Sequence, residues 1–425
     1  MRNCHHCGRP ENEVKKLVQF TKDGPCICNG CITLANQTLG DNVKGRIQED
    51  FKTLPKPKEI FSLLNEYVIG QEHAKTDVAV AVYNHFKRRE ALKNASKLGS
   101  DFAEIQKSNI LIMGPSGTGK TQIARTLAKI LGVPFFVGDA TRLTQAGYVG
   151  EDVESLIQGL LTAADGDVEK AEWGIIYMDE VDKIARKSGS NGSGYRDVSG
   201  EGVQQALLKM LEGSVMSVSI GSKNPMAMPE MVTIDTTNIL FICAGSFAGM
   251  GEVVSRRINK RSTVGFGATV RQKTREADTY LMVEEDDILE FGLIPEFVGR
   301  IPIRTTTLEL TEEEMVRILT EPKDAITRQF KALFSMDGVD LQFDDEALRA
   351  IGSVAKGRQT GARALRGIVE KILKPYAFEA PSDPTLKVIR ITEDTVKSGE
   401  AVVVRESLDL QLEAPATKAL ASSVG

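Results

Sequence analysis

Gly114-Pro115-Ser116-Gly117-Thr118-Gly119-Lys120-Thr121 fits the spacing G-x-x-x-x-G-K-[ST], in which glycines let successive backbone N–H groups curl around a phosphate. In such a loop Lys120 reaches the β and γ phosphates and the Thr121 hydroxyl binds Mg²⁺. A second constellation narrows the reaction. Ile175-Ile176-Tyr177-Met178 reads as an apolar strand ending in Asp179-Glu180, which puts two carboxylates at the carboxyl end of a parallel strand, where open α/β sheets bind ligands. Asp179 suits the Mg²⁺ shell. Glu180 needs no metal contact and is placed to polarise an attacking water, so hydrolysis is expected over transfer to a small acceptor.

Cysteine supplies the third constellation. Five of the six cysteines fall within the first 31 residues, and Cys4-His5-His6-Cys7 and Cys28-Asn29-Gly30-Cys31 form two C-x₂-C hooks twenty residues apart. That spacing matches a treble-clef or ribbon-like zinc module, with four thiolates closing a tetrahedral site. A disulfide framework is the alternative, disfavoured in a reducing compartment. His6 or Cys26 is a substitute ligand candidate, and His5 is a neighbour of the first hook. A segment this small sits near the size at which a core alone fails, so the metal would supply much of its folding free energy. Val14, Leu17, Val18, Phe20, Ile27, Ile32 and Leu34 are more apolar side chains than so small a unit easily hides, which points to self-association or partner docking.

These groups need elements to hold them. Asn109 to Met113 reads as the buried strand before the phosphate loop. Ile123, Ala124, Leu127, Ala128 and Leu131 fall on one face of the helix after it. That helix presents unpaired N–H groups and its positive dipole end to the same anion. Tyr67-Val68-Ile69-Gly70-Gln71 opens a helical stretch, and Glu151 to Leu161 forms another. Strand and helix patterns then alternate to about Thr307, as in a doubly wound parallel sheet. From Glu312 the pattern is mostly helical: Thr311 caps an acidic first turn, Pro322 starts a second helix and Ala362 to Tyr376 forms a later one.

The expected divisions are a zinc domain at 1–48, a stiff solvated linker at 49–60 and a large α/β domain at 61–307. A smaller, mostly helical α+β domain at 308–404 and a disordered tail at 405–425 complete the chain, with a flexible insert at Ser188 to Gly194. Length (425 residues), 41% apolar content and few aromatics fit a soluble α/β protein of two or three domains. A net charge of −5 argues against dependence on a nucleic-acid backbone. With no apolar run near the ~18 residues of a membrane span and no signal-peptide core, the expected location is the cytoplasm.

Taken in order, several segments resemble the ClpX family of AAA+ unfoldases. They are the zinc hooks, Tyr67 to Gln71, the phosphate loop, Ala146-Gly147-Tyr148-Val149-Gly150-Glu151, Ile175 to Ile184, Arg196 to Gly202, Gly292 to Arg300 and Gly361-Ala362-Arg363. The resemblance covers residues 1 to about 400. It implies an ATP-hydrolysing homohexamer that unfolds proteins and feeds them to the ClpP peptidase, with substrates or adaptors engaging the zinc domain. It implies that Arg300 is the finger entering a neighbouring subunit's ATP site, where a planar, permanently charged fork suits developing phosphate charge. It also implies that Arg363 senses nucleotide, that Val68 and Ile69 contact adenine, and that Tyr148, Val149 and Arg196 belong to loops in an axial channel. Val264-Gly265-Phe266 corresponds to the tripeptide that inserts into clefts on ClpP, usually with Ile or Leu first. Valine there should cost each contact about 1 kcal/mol or less.

One departure stands out. Where ClpX chains carry a basic Arg-Lys-His loop at the channel entrance, this chain has Gly221-Ser222-Lys223-Asn224-Pro225-Met226-Ala227-Met228-Pro229. Recognition of tags ending in a free carboxylate is expected to weaken, and Met226 and Met228 suggest an adaptable apolar surface. No sensor residue is assigned after the strand holding Phe241, where Cys243, Ala244, Gly245 and Ser246 offer only a weak polar candidate. Two rival readings are a ClpP-independent remodelling chaperone and a zinc-module AAA+ ATPase acting on nucleic acid.

Overall fold

The computed structural model describes residues 3–19, 24–32, 34, 54–93, 105–144, 151–186, 200–220, 230–262, 279–358 and 360–406. Tyr148, Val149, Arg196, Val264, Gly265 and Phe266 lie outside the described residues. So do the loop 221–229, the insert 188–194 and the tail from 407. The chain divides into two units, Met1–Lys56 and Pro57–Gly425. The first holds one antiparallel pair, β1 (Leu17–Gln19) and β2 (Cys26–Cys28), in register Leu17↔Cys28.

The second unit opens with α1 (Pro57–Asn65) and α2 (Glu72–Lys93). Pro57 starts α1 inside the stretch expected to be linker, and Ile60 and Leu64 on its inner face are fully buried. A proline is tolerated at the first helical position, where its missing N–H is not needed, and by composition alone it looks like linker. Next come β3 (Ile110–Met113), α3 (Lys120–Leu131), β4 (Phe135–Asp139), α4 (Ser155–Ala163) and β5 (Ile175–Asp179). Then follow α5 (Glu201–Glu212), β6 (Val215–Ile220), β7 (Glu230–Asp235), β8 (Leu240–Gly245) and α6 (Met250–Ser262). The large domain closes with α7 (Glu285–Phe291), α8 (Pro295–Gly299) and β9 (Ile303–Thr306). Helix α4 begins at Ser155, later than expected, because Glu151 is used in an extended bridge to Leu143.

Five strands form one sheet in the order β4-β5-β8-β3-β9, every neighbouring pair parallel. All four residues of β3 and all six of β8 are buried, as expected of central strands covered on both faces. A parallel sheet points every carboxyl end the same way. The turns after β3, β5 and β8 therefore emerge together, with Met113 paired to Gly245 and Met178 to Cys243. Strands β6 and β7 form a separate hairpin.

The smaller domain comprises α9 (Glu312–Thr320), α10 (Ile326–Met336), β10 (Asp340–Phe343), α11 (Asp345–Lys356), α12 (Arg363–Glu379), β11 (Leu386–Ile391), α13 (Glu393–Ser398) and β12 (Val402–Arg405). Thr311 caps α9 in a reciprocal box with Glu314, as the sequence pattern predicts. Pro322 does not begin α10, which starts at Ile326 after a turn in which Ala325 N–H bonds the Pro322 carbonyl. The two domains have separate cores, one built on Leu111, Ile176 and Phe241, the other on Leu319, Leu365 and Ile389. Among the described residues no helix is long and apolar enough to cross a membrane.

Candidate functional site

Gly114 leaves β3 with φ +145°, and a Cβ there would lie 2.2 Å from the Thr307 carbonyl oxygen, so only glycine lets the chain turn so close to β9's exit. A Cβ at Gly117, which has φ +76°, would lie equally close to the Thr360 carbonyl oxygen. Gly119 begins α3 in the left-handed region with no side-chain cap, which leaves the first N–H groups of the helix facing outward for an anion. The Thr118 hydroxyl fixes the loop from within, donating to the Pro115 carbonyl at 2.9 Å and meeting Thr307 Oγ1 at 2.7 Å.

Lys120 folds across this loop. Its Nζ donates to the carbonyls of Gly114 (2.6 Å) and Pro115 (2.7 Å). Burial pulls the ammonium down to about 8 against the opposing pull of Asp179. Thr121 Oγ1 donates to the buried Tyr177 hydroxyl at 3.1 Å, and burial holds that phenol well above its ordinary value. Asp179 ends β5, and its Oδ1 accepts from the Glu180 N–H at 3.0 Å. Glu180 itself sits at φ 58°, ψ 32°. A non-glycine residue held in the left-handed region carries strain that persists where surroundings dictate it, commonly at functional sites.

These groups face one cleft of about 500 Å³, lined by Ser116, Lys120, Thr121, Asp179, Glu180 and Arg363 among others. Arg363 is the first residue of α12, and its Nη1 donates to Ser116 Oγ at 3.2 Å. The Ala362 N–H bonds the Gly117 carbonyl at 3.1 Å, so the smaller domain closes directly onto the phosphate loop. Further contacts clasp the two domains at the segment before α2. Gln71 exchanges two hydrogen bonds with Leu308 (2.8 and 2.9 Å), and Lys323 reaches Glu66 at 2.6 Å. Val68 and Ile69, in that segment, are buried, and a Cβ at Gly119 would meet Val68 Cγ1 at 3.9 Å.

Arg300 is not in this cleft. Its carbonyl accepts from the Asn109 amide, which precedes β3, whereas the phosphate loop follows β3. Five residues at ~3.3 Å each put roughly 17 Å between the two ends, beyond the reach of the side chain.

Sequence reasoning missed Asp182 and left Ser246 without an assigned role. Asp182 is buried in the short turn after Glu180. It accepts from the Ser246 N–H (3.1 Å) and hydroxyl (3.0 Å), tying the end of β8 to the Asp179-Glu180 turn inside the cleft. A Cβ at Gly245 would meet Asp182 Oδ1 at 2.5 Å, so the glycine permits that approach. The only available signal was an acidic residue two positions beyond the carboxylate pair.

In the first unit the Sγ atoms of Cys4, Cys7, Cys28 and Cys31 all lie within 4.8 Å of one another. Cys26 and His6 stand outside this group; the Cys26 N–H instead bonds His5 Nδ1 at 3.3 Å. Val14, Leu17, Val18, Ile27 and Ile32 are only half-buried and Leu34 is exposed.

Comparison with known proteins agrees with this geometry. Residues 2–41 match the ClpX C4-type zinc finger family. Residues 105–304 match the AAA domain of the Cdc48 subfamily, and 310–396 the C-terminal D2-small domain of ClpB protein. A Treponema denticola protein described as the ATP-dependent Clp protease ATP-binding subunit ClpX is 48% identical over 383 residues, covering 89% of this chain and 90% of that one.

Proposed function

The chain belongs to the ClpX family, and from that premise we propose that it works as a homohexameric ring that hydrolyses ATP to unfold proteins and thread them into the ClpP peptidase. The observation that carries the reading is the cleft in which Lys120, Asp179, Glu180 and the smaller domain's Arg363 converge. The loop from Gly114 to Thr121 holds the phosphates through its N–H groups and Lys120. The Thr121 hydroxyl and Asp179 carboxylate are the donors that would hold Mg²⁺, which neutralises phosphate charge during transfer. Glu180 takes the proton of the attacking water. Val68 and Ile69 supply the apolar wall for adenine.

Because Arg363 and Ala362 bond the phosphate loop from the smaller domain, nucleotide in the cleft bears on the angle between the domains. Arg300 acts across a subunit boundary. Tyr148, Val149 and Arg196 grip substrate in the channel, and Val264, Gly265 and Phe266 dock ClpP. Client domains are stable by ~5–15 kcal/mol, so the pull must be repeated over ATP cycles.

The test mixes the full chain with ATP, ClpP and a folded fluorescent protein carrying either a free or an amidated carboxyl-terminal tag. We expect fluorescence loss with peptide release, little preference for the free carboxylate, and, after deletion of Val264 to Phe266, unfolding without peptide release. A monomer that turns over ATP and leaves every folded client fluorescent would overturn the reading.

Lys120 gives the cleft a pH signature. Its ammonium titrates near pH 8 in the free protein, and phosphate favours the charged form. Binding therefore takes up a proton above pH 8. ATP affinity should fall by up to about tenfold per pH unit from there. Titration of a non-hydrolysable ATP analogue from pH 7 to 9.5 measures it; a flat profile would contradict the placement of Lys120.

A further inference from the structure

The last carbonyls of α5 have no partners within the helix and are met by side chains from elsewhere. Thr236 Oγ1 and Lys107 Nζ reach the Met210 carbonyl at 3.2 and 3.5 Å, and Asn109 Nδ2 donates to the Leu211 carbonyl at 3.1 Å. Asn109 is fully buried, and the same amide nitrogen donates to the Arg300 carbonyl at 2.9 Å while its Oδ1 accepts from the Phe241 N–H at 3.4 Å. With two carbonyls on one side and an N–H on the other, the amide has one orientation. Asn109 thus pins the end of α5 and the backbone of Arg300 to the root of the strand that carries the phosphate loop.

Glu212, the next residue of α5, completes the arrangement. Its Oε1 accepts from Arg300 Nε at 2.8 Å and Nη2 at 2.7 Å. Only one edge of the guanidinium is engaged. The Nη1 edge has no partner among the described residues, and the side chain is 51% exposed. A guanidinium held along its rear edge keeps a second donor pair aimed outward, the form in which arginine grips phosphate oxygens.

We propose that Glu212 is a positioning residue for Arg300, holding the guanidinium by its Nε/Nη2 edge so that the Nη1 edge is presented to the neighbouring subunit's nucleotide. The inference rests on the ring and trans-acting arginine proposed above. Glu212 touches no substrate. Its effect is exerted on the next subunit's turnover and leaves its own cleft intact.

Removing the carboxylate by Glu212→Ala should lower ATPase kcat about tenfold with KM little changed, because a misplaced group costs rate without costing ground-state binding. Glu212→Gln should recover at least half the rate, since both Arg300 donors reach a single oxygen that an amide carbonyl can replace. An equal loss in both variants would overturn the contact through Oε1.

The decisive measurement mixes Glu212→Ala subunits with an excess of Glu180→Gln subunits, which retain Arg300 and Glu212 but cannot turn over ATP. Rate per Glu212→Ala subunit should rise severalfold, as neighbours with correctly held arginines now serve its sites. Arg300→Ala subunits run in parallel must show the same rise. Rescue of Arg300→Ala without rescue of Glu212→Ala overturns the proposal, as does an unchanged kcat in the unmixed variant. Absence of rescue for both overturns the trans-acting reading beneath it.

Discussion

Replacing Glu180 with Gln should cut ATP turnover by about 10²–10⁴-fold while leaving nucleotide bound. The substitution keeps size and shape, and the Glu180 backbone, not its side chain, makes the hydrogen bond to Asp179. What disappears is a base able to take a proton from water. The residue's left-handed backbone fixes where the side chain leaves the chain, directly after Asp179 at the end of β5. Lys120, the phosphate loop and Asp179 are untouched, so the variant should trap ATP in the cleft. Single-turnover hydrolysis alongside equilibrium binding of ATP separates the two effects. Lost binding would mean that Glu180 shapes the pocket; retained turnover would hand the base role to another group, with Asp182 next in line.

Legibility followed the range of the interactions. The strand, loop and helix around Lys120 was readable because phosphate binding by backbone N–H groups demands glycines at fixed spacing. The position of Asp179 and Glu180 was readable because a continuous apolar run gives way there to two acids, which ends a buried strand. Strand order was not readable from periodicity: β3, β5 and β8 are each continuously apolar, and nothing local says that β8 lies between β3 and β5. Nor was the Asp182–Ser246 tie or the Glu212–Arg300 pair, whose partners are 64 and 88 residues apart and are brought together only by the parallel sheet. The start of α1 failed for a local reason, because Pro55 and Pro57 among lysines outweighed the buried pair Ile60 and Leu64 at helical spacing.

Metal removal should unfold the first unit and spare the second. Zinc–thiolate bonds of about 2.3 Å in tetrahedral geometry require sulfurs ~3.8 Å apart. Cys4 and Cys31 stand at 3.9 Å and Cys7 and Cys28 at 3.7 Å. Hydrogen bonding from the Cys7 backbone chiefly pulls the Cys4 thiol down to about 6, and the Cys28 N–H also reaches its sulfur, at 3.3 Å, while the Cys7 side chain chiefly pushes the Cys31 thiol up to about 12, so zinc must displace protons that the cluster otherwise shares. Nothing else in the unit's described residues replaces this centre, because its buried apolar side chains are Cys4, Cys26 and Cys28 and its two strands are three residues each. Zinc-finger peptides draw roughly 10–16 kcal/mol of apparent binding free energy from their metal, more than so small a core supplies alone. Chelation of the full chain should therefore open residues 3–34 to proteolysis while nucleotide hydrolysis continues, since the second unit has cores of its own. Cys28→Ser should lose the zinc equivalent outright, and Cys26→Ser should keep it, because the Cys26 sulfur stands outside the group of four. Metal content by atomic absorption distinguishes them, and loss of zinc in Cys26→Ser would mean that the ligand set differs from the one drawn here.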